Sequence, residues 1–203
     1  MVEQLSELIR DKKATVGVVG LGYVGLPLVH AFVKAGYRSI GFDVDPAKVK
    51  LLQEGKSYIK HFSSDWICES ISQRKFEPTV DLSRLSEADA ILICVPTPLN
   101  ASRDPDLSYI QSTTEEIAAQ LRPGQLIVLE STTYPGTTRG VMVPILSKSG
   151  LQAGTDYFMA YSPEREDPGN TQFSAHAIPK VVGGLDPISL QLATELYSAA
   201  VVE

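Results

Sequence analysis

Residues 15–45 contain the feature that most constrains the fold of this 203-residue chain, a glycine-rich turn that follows an apolar run. The apolar run, Thr15–Val19, is short and rich in β-branched residues, which is typical of a buried parallel strand. Three glycines follow it in the spacing G-x-G-x-x-G, namely Gly20, Gly22 and Gly25. A turn of this kind leads a strand directly into a helix.

The residues after the glycines complete a βαβ unit. A helical pattern of apolar residues predicts a helix over residues 23–34, and Gly36 is a stop signal for it. A second strand is predicted over residues 39–42, and Asp43 follows its last residue. Strand, glycine turn, helix, strand and terminal acid therefore occur in the order of a dinucleotide-binding unit.

The chemistry of this unit favours NAD. The first glycine permits a tight turn, the second lets the backbone approach a pyrophosphate, and the third lets the helix pack close to the strand. The N-terminus of the helix presents N–H groups and a partial positive charge to the phosphates. Asp43 can accept hydrogen bonds from the adenosine ribose and would repel a 2′-phosphate. The alternative is a glycine-rich turn in another kind of α/β protein.

Composition and charge exclude several classes of partner. The net charge is −6 and the sequence has no basic cluster, which argues against a nucleic-acid surface. No apolar run reaches the roughly 18 to 20 residues that a membrane span needs, and residues 1–13 are too polar for a signal peptide. The two cysteines, Cys68 and Cys94, have no metal-binding spacing. We therefore expect no metal site, no membrane association and a reducing, cytoplasmic location.

The rest of the sequence alternates between strand and helix patterns. A first helix is predicted over Val2–Arg10, and Asp45 is predicted to cap a helix that begins at Pro46. Lys48 lies in the first turn of that helix, where it either contacts the cofactor near the adenosine ribose or is solvated. The alternation predicts an α/β fold, a Rossmann-like, doubly wound and mainly parallel sheet with helices on both faces.

Three polar clusters follow predicted strands, and ligands of doubly wound sheets bind beyond the carboxyl ends of the strands. The clusters are residues 96–98, 130–133 and 162–170. We expect them to converge on the nicotinamide end of a bound dinucleotide, with Thr97 in contact with the cofactor. Cys94, in a strand predicted over residues 90–95, is expected to be a small buried hydrophobe. A last short strand is predicted over residues 180–182.

Five segments carry a resemblance to a known family: VVGLGYVGLPL, FDVD, VPTP, ESTTYPGTT and YSPEREDPGN. In this order they resemble the UDP-glucose/GDP-mannose dehydrogenase family, from about Ala14 to the end of the chain. The form SPEREDPGN is most similar to the branch that acts on UDP-N-acetylglucosamine. Enzymes for UDP-N-acetylmannosamine, and for UDP-glucose or GDP-mannose, are the alternatives within the family.

The resemblance implies a double oxidation in polysaccharide biosynthesis. The C6 alcohol of the sugar gives hydride to NAD⁺, a cysteine captures the aldehyde as a thiohemiacetal, a second hydride leaves, and water hydrolyses the thioester. As catalytic residues, the resemblance implies Thr132 and Glu164, which would assist water and proton handling; a carboxylate in a dry pocket suits a general base. The cofactor contacts that it implies are Ser131 and the backbone of Gly22, Tyr23 and Val24.

The resemblance also implies a longer protein. The nucleophilic cysteine of the family lies in a middle domain beyond this chain, and neither Cys68 nor Cys94 fits that role. Residues 1–188 would form the NAD-binding domain, and residues 189–203 would begin the helix that leads to the middle domain and forms a homodimer. The chain alone is then expected to bind NAD without turnover, and to have a nucleotide sugar as the substrate of the full-length protein.

Two further interpretations stay open. A dehydrogenase of the 3-hydroxyacyl or 6-phosphogluconate type would share the cofactor turn but should lack ESTTYPGTT and SPERE. A non-catalytic module that senses NAD(H) would bind NAD⁺ and NADH with very different affinities and control a partner. No feature of the sequence indicates a surface for such a partner.

Overall fold

The computed structural model describes residues 1–59, 62–100, 103–163 and 180–200. The strands are β1 (Thr15–Val19), β2 (Arg38–Phe42), β3 (Phe76–Thr79), β4 (Ala90–Ile93), β5 (Leu126–Leu129), β6 (Phe158–Tyr161) and β7 (Gly183–Gly184). The helices are α1 (Val2–Arg10), α2 (Gly25–Lys34), α3 (Pro46–Gln53), α4 (Asp65–Ser72), α5 (Ser108–Gln120), α6 (Val143–Leu146) and α7 (Pro187–Ser198).

The strands form one sheet in the order β3-β2-β1-β4-β5-β6-β7. Strands β1 to β6 pair in parallel, and β7 pairs with β6 in the antiparallel direction. The chain runs outward from β1 in one direction and then returns to place β4 on its other side. The predicted fold class is therefore confirmed, and the order reverses between β1 and β4, where a doubly wound sheet has its binding crevice.

The core lies on both faces of the sheet, which explains the continuous apolar character of the central strands. Strands β1, β4 and β5 are buried throughout. One face is covered by a cluster that includes Leu26 and Phe32 of α2, and the other by a cluster that includes Ile110 and Ile117 of α5. Each large side chain buried in this way contributes about 1.5–3 kcal/mol, so both helix layers hold the strand ends in fixed positions.

Helices α1 and α7 pack against each other at the edge of the core. The amphipathic helix predicted over Val2–Arg10 is confirmed, and its Ser6 hydroxyl donates a hydrogen bond of 2.6 Å to Glu195. Leu192 and Leu196 of α7 are fully buried in the core cluster. Helix α7 thus spans the predicted boundary at residue 188, and its inward face belongs to the core of this domain.

Two predicted elements are corrected. The strand predicted over residues 180–182 is wrong, because the residues that pair with β6 are Gly183 and Gly184. Lys180 instead donates a hydrogen bond to the buried carboxylate of Glu130. The sequence of residues 138–147 also predicts a helix, but in the structure this segment begins with a π-helical turn, Thr138–Met142, before α6. A single π-helical turn of this kind is frequent beside functional sites.

Candidate functional site

One cleft of about 610 Å³ lies beyond the carboxyl ends of β1, β2, β4 and β5. Its volume is in the range of about 300–1,000 Å³ that small-molecule sites occupy. The predicted site residues that line it are Gly20, Gly22, Tyr23, Val24, Asp43, Lys48, Thr97, Ser131 and Thr132. The structure therefore brings together, at one crevice, residues that are spread over more than half of the sequence.

The three glycines have different surroundings that match their predicted uses. Gly20 has a φ of +92°, and a Cβ there would lie 2.7 Å from the carbonyl oxygen of Cys94. A Cβ at Gly25 would lie 1.8 Å from the carbonyl oxygen of Gly20, so Gly25 packs α2 against the turn and lies outside the cleft lining. A Cβ at Gly22 would meet no atom within 4 Å. Gly22 therefore leaves backbone open to the cleft, as a pyrophosphate requires.

Asp43 is buried at the end of β2 and holds the turn from the other side. One carboxylate oxygen accepts a hydrogen bond of 2.9 Å from the backbone N–H of Leu21, and the other accepts one of 3.0 Å from Asp45. Lys48 Nζ lies 3.5 Å from the same carboxylate. The predicted cap is confirmed as well, because Asp45 accepts a hydrogen bond of 2.9 Å from Ala47 at the start of α3.

Tyr58 is a residue of this site that sequence reasoning missed. Its hydroxyl donates a hydrogen bond to the carbonyl oxygen of Leu21, so both backbone groups of Leu21 are held by side chains. Lys48 Nζ lies 5.9 Å from the centre of the Tyr58 ring. Burial raises the pKa of Tyr58, and the negative charges of Asp43 and Asp45 raise it further, so the phenol keeps its proton as a donor.

The ends of β4 and β5 are joined by hydrogen bonds between their polar residues. The Thr97 hydroxyl donates to the carbonyl oxygen of Thr132 at 2.6 Å, and the Ser131 hydroxyl donates to that of Val95 at 2.6 Å. Cys94 follows β4, is only half-buried and lines the cleft, which corrects its prediction as a buried strand residue.

Members of the clusters at residues 96–98 and 130–133 line the same cleft, and their convergence on the nicotinamide end of a dinucleotide stays a prediction. Of the third cluster, Ser162 is fully buried after β6. Glu164 and residues 165–170 lie outside the described residues. The catalytic role predicted for Glu164 therefore stays a prediction.

A buried charged cluster under the cleft was also missed. Glu130 is fully buried, and its carboxylate accepts a hydrogen bond of 2.5 Å from Lys180 and another from the Tyr197 hydroxyl. Lys180 Nζ lies 5.2 Å from the centre of the Tyr197 ring. Sequence reasoning assigned Glu130 only to a polar cluster, because its partners are distant in the chain.

Helix α5 supplies a further wall of the cleft that was not predicted. Tyr109 and Glu116 of α5 line it, together with Val44 after β2 and Leu82 in a 3₁₀ turn. Val44 is 84% exposed and therefore presents apolar surface beside Asp43. In the sequence, the polar side of α5 was the one signal that could have indicated a wall of the cleft. A polar side is also typical of any helix that faces solvent.

Candidate metal ligands and membrane-spanning helices can be looked for in the described part of the chain. Within these residues no group of three or more His, Cys, Asp or Glu side chains could hold a metal ion. The helices in the same residues are all too short or too polar to cross a membrane.

The sequence matches the model of a known protein family. The model of the UDP-glucose/GDP-mannose dehydrogenase family, NAD binding domain, matches residues 14–201. The chain belongs to this family. Its matched region is the NAD-binding domain, so the predicted cofactor, NAD, is confirmed, and the glycine turn and Asp43 fit that cofactor.

Relatives in this family are similar over nearly the whole chain. The chain is 36% identical over 187 residues to UDP-N-acetyl-D-glucosamine 6-dehydrogenase of Pseudomonas aeruginosa, covering 92% of the chain and 43% of that protein. It is 33% identical over 187 residues to UDP-N-acetyl-D-mannosamine dehydrogenase of Pyrococcus horikoshii, covering 92% and 44%. The chain thus spans less than half the length of these relatives.

A solved structure has the same fold. The crystal structure of NDP-N-acetyl-D-galactosaminuronic acid dehydrogenase from Methanosarcina mazei superposes with a TM-score of 0.85 at 34% identity, covering 98% of this chain and 45% of that one. The overall fold of this chain is therefore shared with that solved dehydrogenase.

Proposed function

We propose that this domain is the NAD-binding part of a nucleotide-sugar 6-dehydrogenase that oxidises the C6 alcohol of UDP-N-acetylglucosamine to the uronic acid in two NAD-dependent steps. The observation that carries the proposal is the single cleft that gathers the glycine turn, Asp43 and the hydroxyl residues after β4 and β5. The similarity to a UDP-N-acetyl-D-glucosamine 6-dehydrogenase supports the choice of sugar. UDP-N-acetylmannosamine, UDP-glucose and GDP-mannose are the alternatives.

Different residues of the cleft would bind different parts of the cofactor. Gly20, Gly22, Tyr23 and Val24 would face the pyrophosphate at the N-terminus of α2, where backbone N–H groups and the helix dipole favour negative charge. Asp43 would accept from the adenosine ribose, with Lys48 balancing its charge. Bound NAD⁺ would supply the hydride-accepting chemistry, and the residues of the protein would supply orientation and proton handling.

The ends of β4 and β5 would act at the reacting end of the cofactor. Thr97 and Ser131 are fixed by hydrogen bonds to neighbouring strand ends and would position the nicotinamide. Thr132 is exposed to the cleft, where its hydroxyl would orient a water molecule. Glu164 would act as the general base that takes a proton from the alcohol or from that water.

The complete reaction would require a protein longer than this chain. The cysteine that would form the thioester is assigned to a middle domain, with residues 189–203 beginning the connection to it, and this chain alone would bind NAD without turnover. A homodimer of the full-length protein and a cytoplasmic location belong to the same proposal. The similarity to longer dehydrogenases supports the assignment of this chain to a longer protein.

The stoichiometry of NADH formation by the full-length gene product tests the proposal. The protein is given limiting amounts of each of the four nucleotide sugars in turn, with excess NAD⁺, and NADH absorbance is followed to completion. We expect about two NADH per molecule of one sugar, as the two-step oxidation implies. One NADH per sugar would contradict the thioester mechanism, and none with any sugar would contradict the dehydrogenase assignment.

A further inference from the structure

A buried ion pair lies below the cleft at the end of β5. Glu130 is fully buried and is one of the residues that line the cleft. Lys180, whose side chain is 17% exposed, lies 2.5 Å from one of its carboxylate oxygens, and the Tyr197 hydroxyl donates to the other. The ammonium group of Lys180 therefore offsets the negative charge of this buried carboxylate.

The pair lies in the half of the sheet that takes the second nucleotide of a dinucleotide. A doubly wound sheet consists of two halves, each of which binds one nucleotide. Asp43, the ribose acceptor, belongs to the half formed by β1, β2 and β3. The nicotinamide nucleotide then falls on the half formed by β4, β5 and β6, where Glu130 follows β5.

A charge at this position acts differently on the two redox forms of the cofactor. The nicotinamide ring carries one positive charge in NAD⁺ and none in NADH. A carboxylate alone would favour NAD⁺, an ammonium group alone would favour NADH, and inside a protein such effects are screened less than in water. Because the two charges offset each other, the ion pair itself should favour neither form.

We infer that the Glu130–Lys180 ion pair sets the ratio of the affinities of this site for NAD⁺ and NADH, with Lys180 cancelling the attraction of Glu130 for the oxidised ring. The inference rests on the proposed cofactor site and adds two specificity-determining residues to it. Lys180 thereby keeps the oxidised cofactor from being held too tightly by the buried carboxylate.

Calorimetric titrations of the chain with NAD⁺ and with NADH test the inference, using the wild type, Lys180→Gln, Glu130→Gln and the double variant. Glutamine keeps a hydrogen-bonding group at each position but removes the charge. We expect Lys180→Gln to shift the affinity ratio toward NAD⁺ on the order of tenfold, and Glu130→Gln to shift it toward NADH by a similar factor. The double variant should return to the wild-type ratio.

The opposite signs separate this role from a structural one. If both single variants leave the ratio unchanged, or shift it in the same direction, the inference is wrong. Lys148→Gln is the matched control, since Lys148 pairs with Glu115 on the surface at 3.5 Å, and it should leave the ratio unchanged. Lys180→Arg keeps the positive charge and should keep the wild-type ratio. A shifted ratio in that variant also overturns the inference, and this test remains available if Lys180→Gln or Glu130→Gln does not fold. Failure of the wild type to bind either form would instead remove the cofactor site itself.

Discussion

The carboxylate of Asp43 accepts a hydrogen bond of 2.9 Å from the backbone N–H of Leu21, so the end of β2 and the glycine turn after β1 are fixed to each other. This hydrogen bond is buried, and its two residues are 22 positions apart in the chain. The residue expected to accept from the ribose therefore also sets the shape of the turn that faces the pyrophosphate. We therefore expect the binding of both parts of the cofactor to depend on the Asp43 side chain.

Replacement of Asp43 should weaken NAD binding. We expect Asp43→Ala to cost roughly 1–3 kcal/mol of binding free energy, because a charged acceptor for the ribose and the hydrogen bond to Leu21 are both lost. Isothermal titration calorimetry measures the change. Asp45→Ala is the control: it removes the same charge two residues away and a helix cap, so it should lower stability by about 1 kcal/mol without a change in affinity. Equal losses of affinity in the two variants would contradict the assignment.

Tyr58 should matter for cofactor affinity although it was not predicted from the sequence. Tyr58→Phe removes the hydrogen bond to the carbonyl oxygen of Leu21 and should loosen the turn, lowering NAD affinity by about threefold to tenfold. Tyr37→Phe is matched to it, since Tyr37 donates a buried hydrogen bond of 2.9 Å to Ile9 far from the turn. That variant should lose about 1 kcal/mol of unfolding free energy with unchanged NAD affinity. Unchanged affinity in Tyr58→Phe would show that the turn does not need this support.

Alanine substitutions at two glycines of the turn should have different effects, one on NAD affinity and the other on the stability of the fold. Gly22→Ala places a methyl group in open space, so the unfolding free energy should be unchanged or rise by up to about 1 kcal/mol, while NAD affinity falls on the order of tenfold. Gly20→Ala forces alanine to a φ of +92° and a Cβ to 2.7 Å from the Cys94 carbonyl oxygen, so it should lose at least about 1 kcal/mol of stability. Urea unfolding and calorimetry measure both quantities. Normal affinity in a folded Gly22→Ala variant would contradict a pyrophosphate at this turn.

Stability should fall with rising pH above about 10, the ordinary pKa of tyrosine. Burial raises the pKa of Tyr37 to about 12. Between these values the unfolded chain has released the proton that the folded chain still holds, so unfolding is favoured by up to about 1.4 kcal/mol per pH unit. The contribution of the protonated Tyr37 side chain to the free energy of unfolding is complete below pH 10 and is lost as the pH rises toward 12. Urea unfolding across this range should give a flatter slope for Tyr37→Phe than for the wild type; identical slopes would contradict the burial effect.

The parts of the fold that were predicted from the sequence are those with local signals. The turn glycines, the cap at Asp45 and the buried strands each depend on residues within a few positions of one another, so spacing and periodicity reveal them. The hydrogen bond from Tyr58 to Leu21 spans 37 positions, and the ion pair of Lys180 with Glu130 spans 50. Only the folded sheet brings such pairs together. The same reason explains the error over residues 180–182, where a β-branched pair resembles a strand.

Titration of the chain with NAD⁺ and, separately, with NADP⁺ tests the central claim most directly. The account predicts one NAD⁺ per chain in the cleft that Asp43 and the glycine turn form, and an affinity for NADP⁺ that is lower by at least about tenfold, because the 2′-phosphate would meet the Asp43 carboxylate. In Asp43→Ala the two affinities should approach each other. Absence of NAD⁺ binding, or equal binding of NAD⁺ and NADP⁺ by the wild type, would contradict the account.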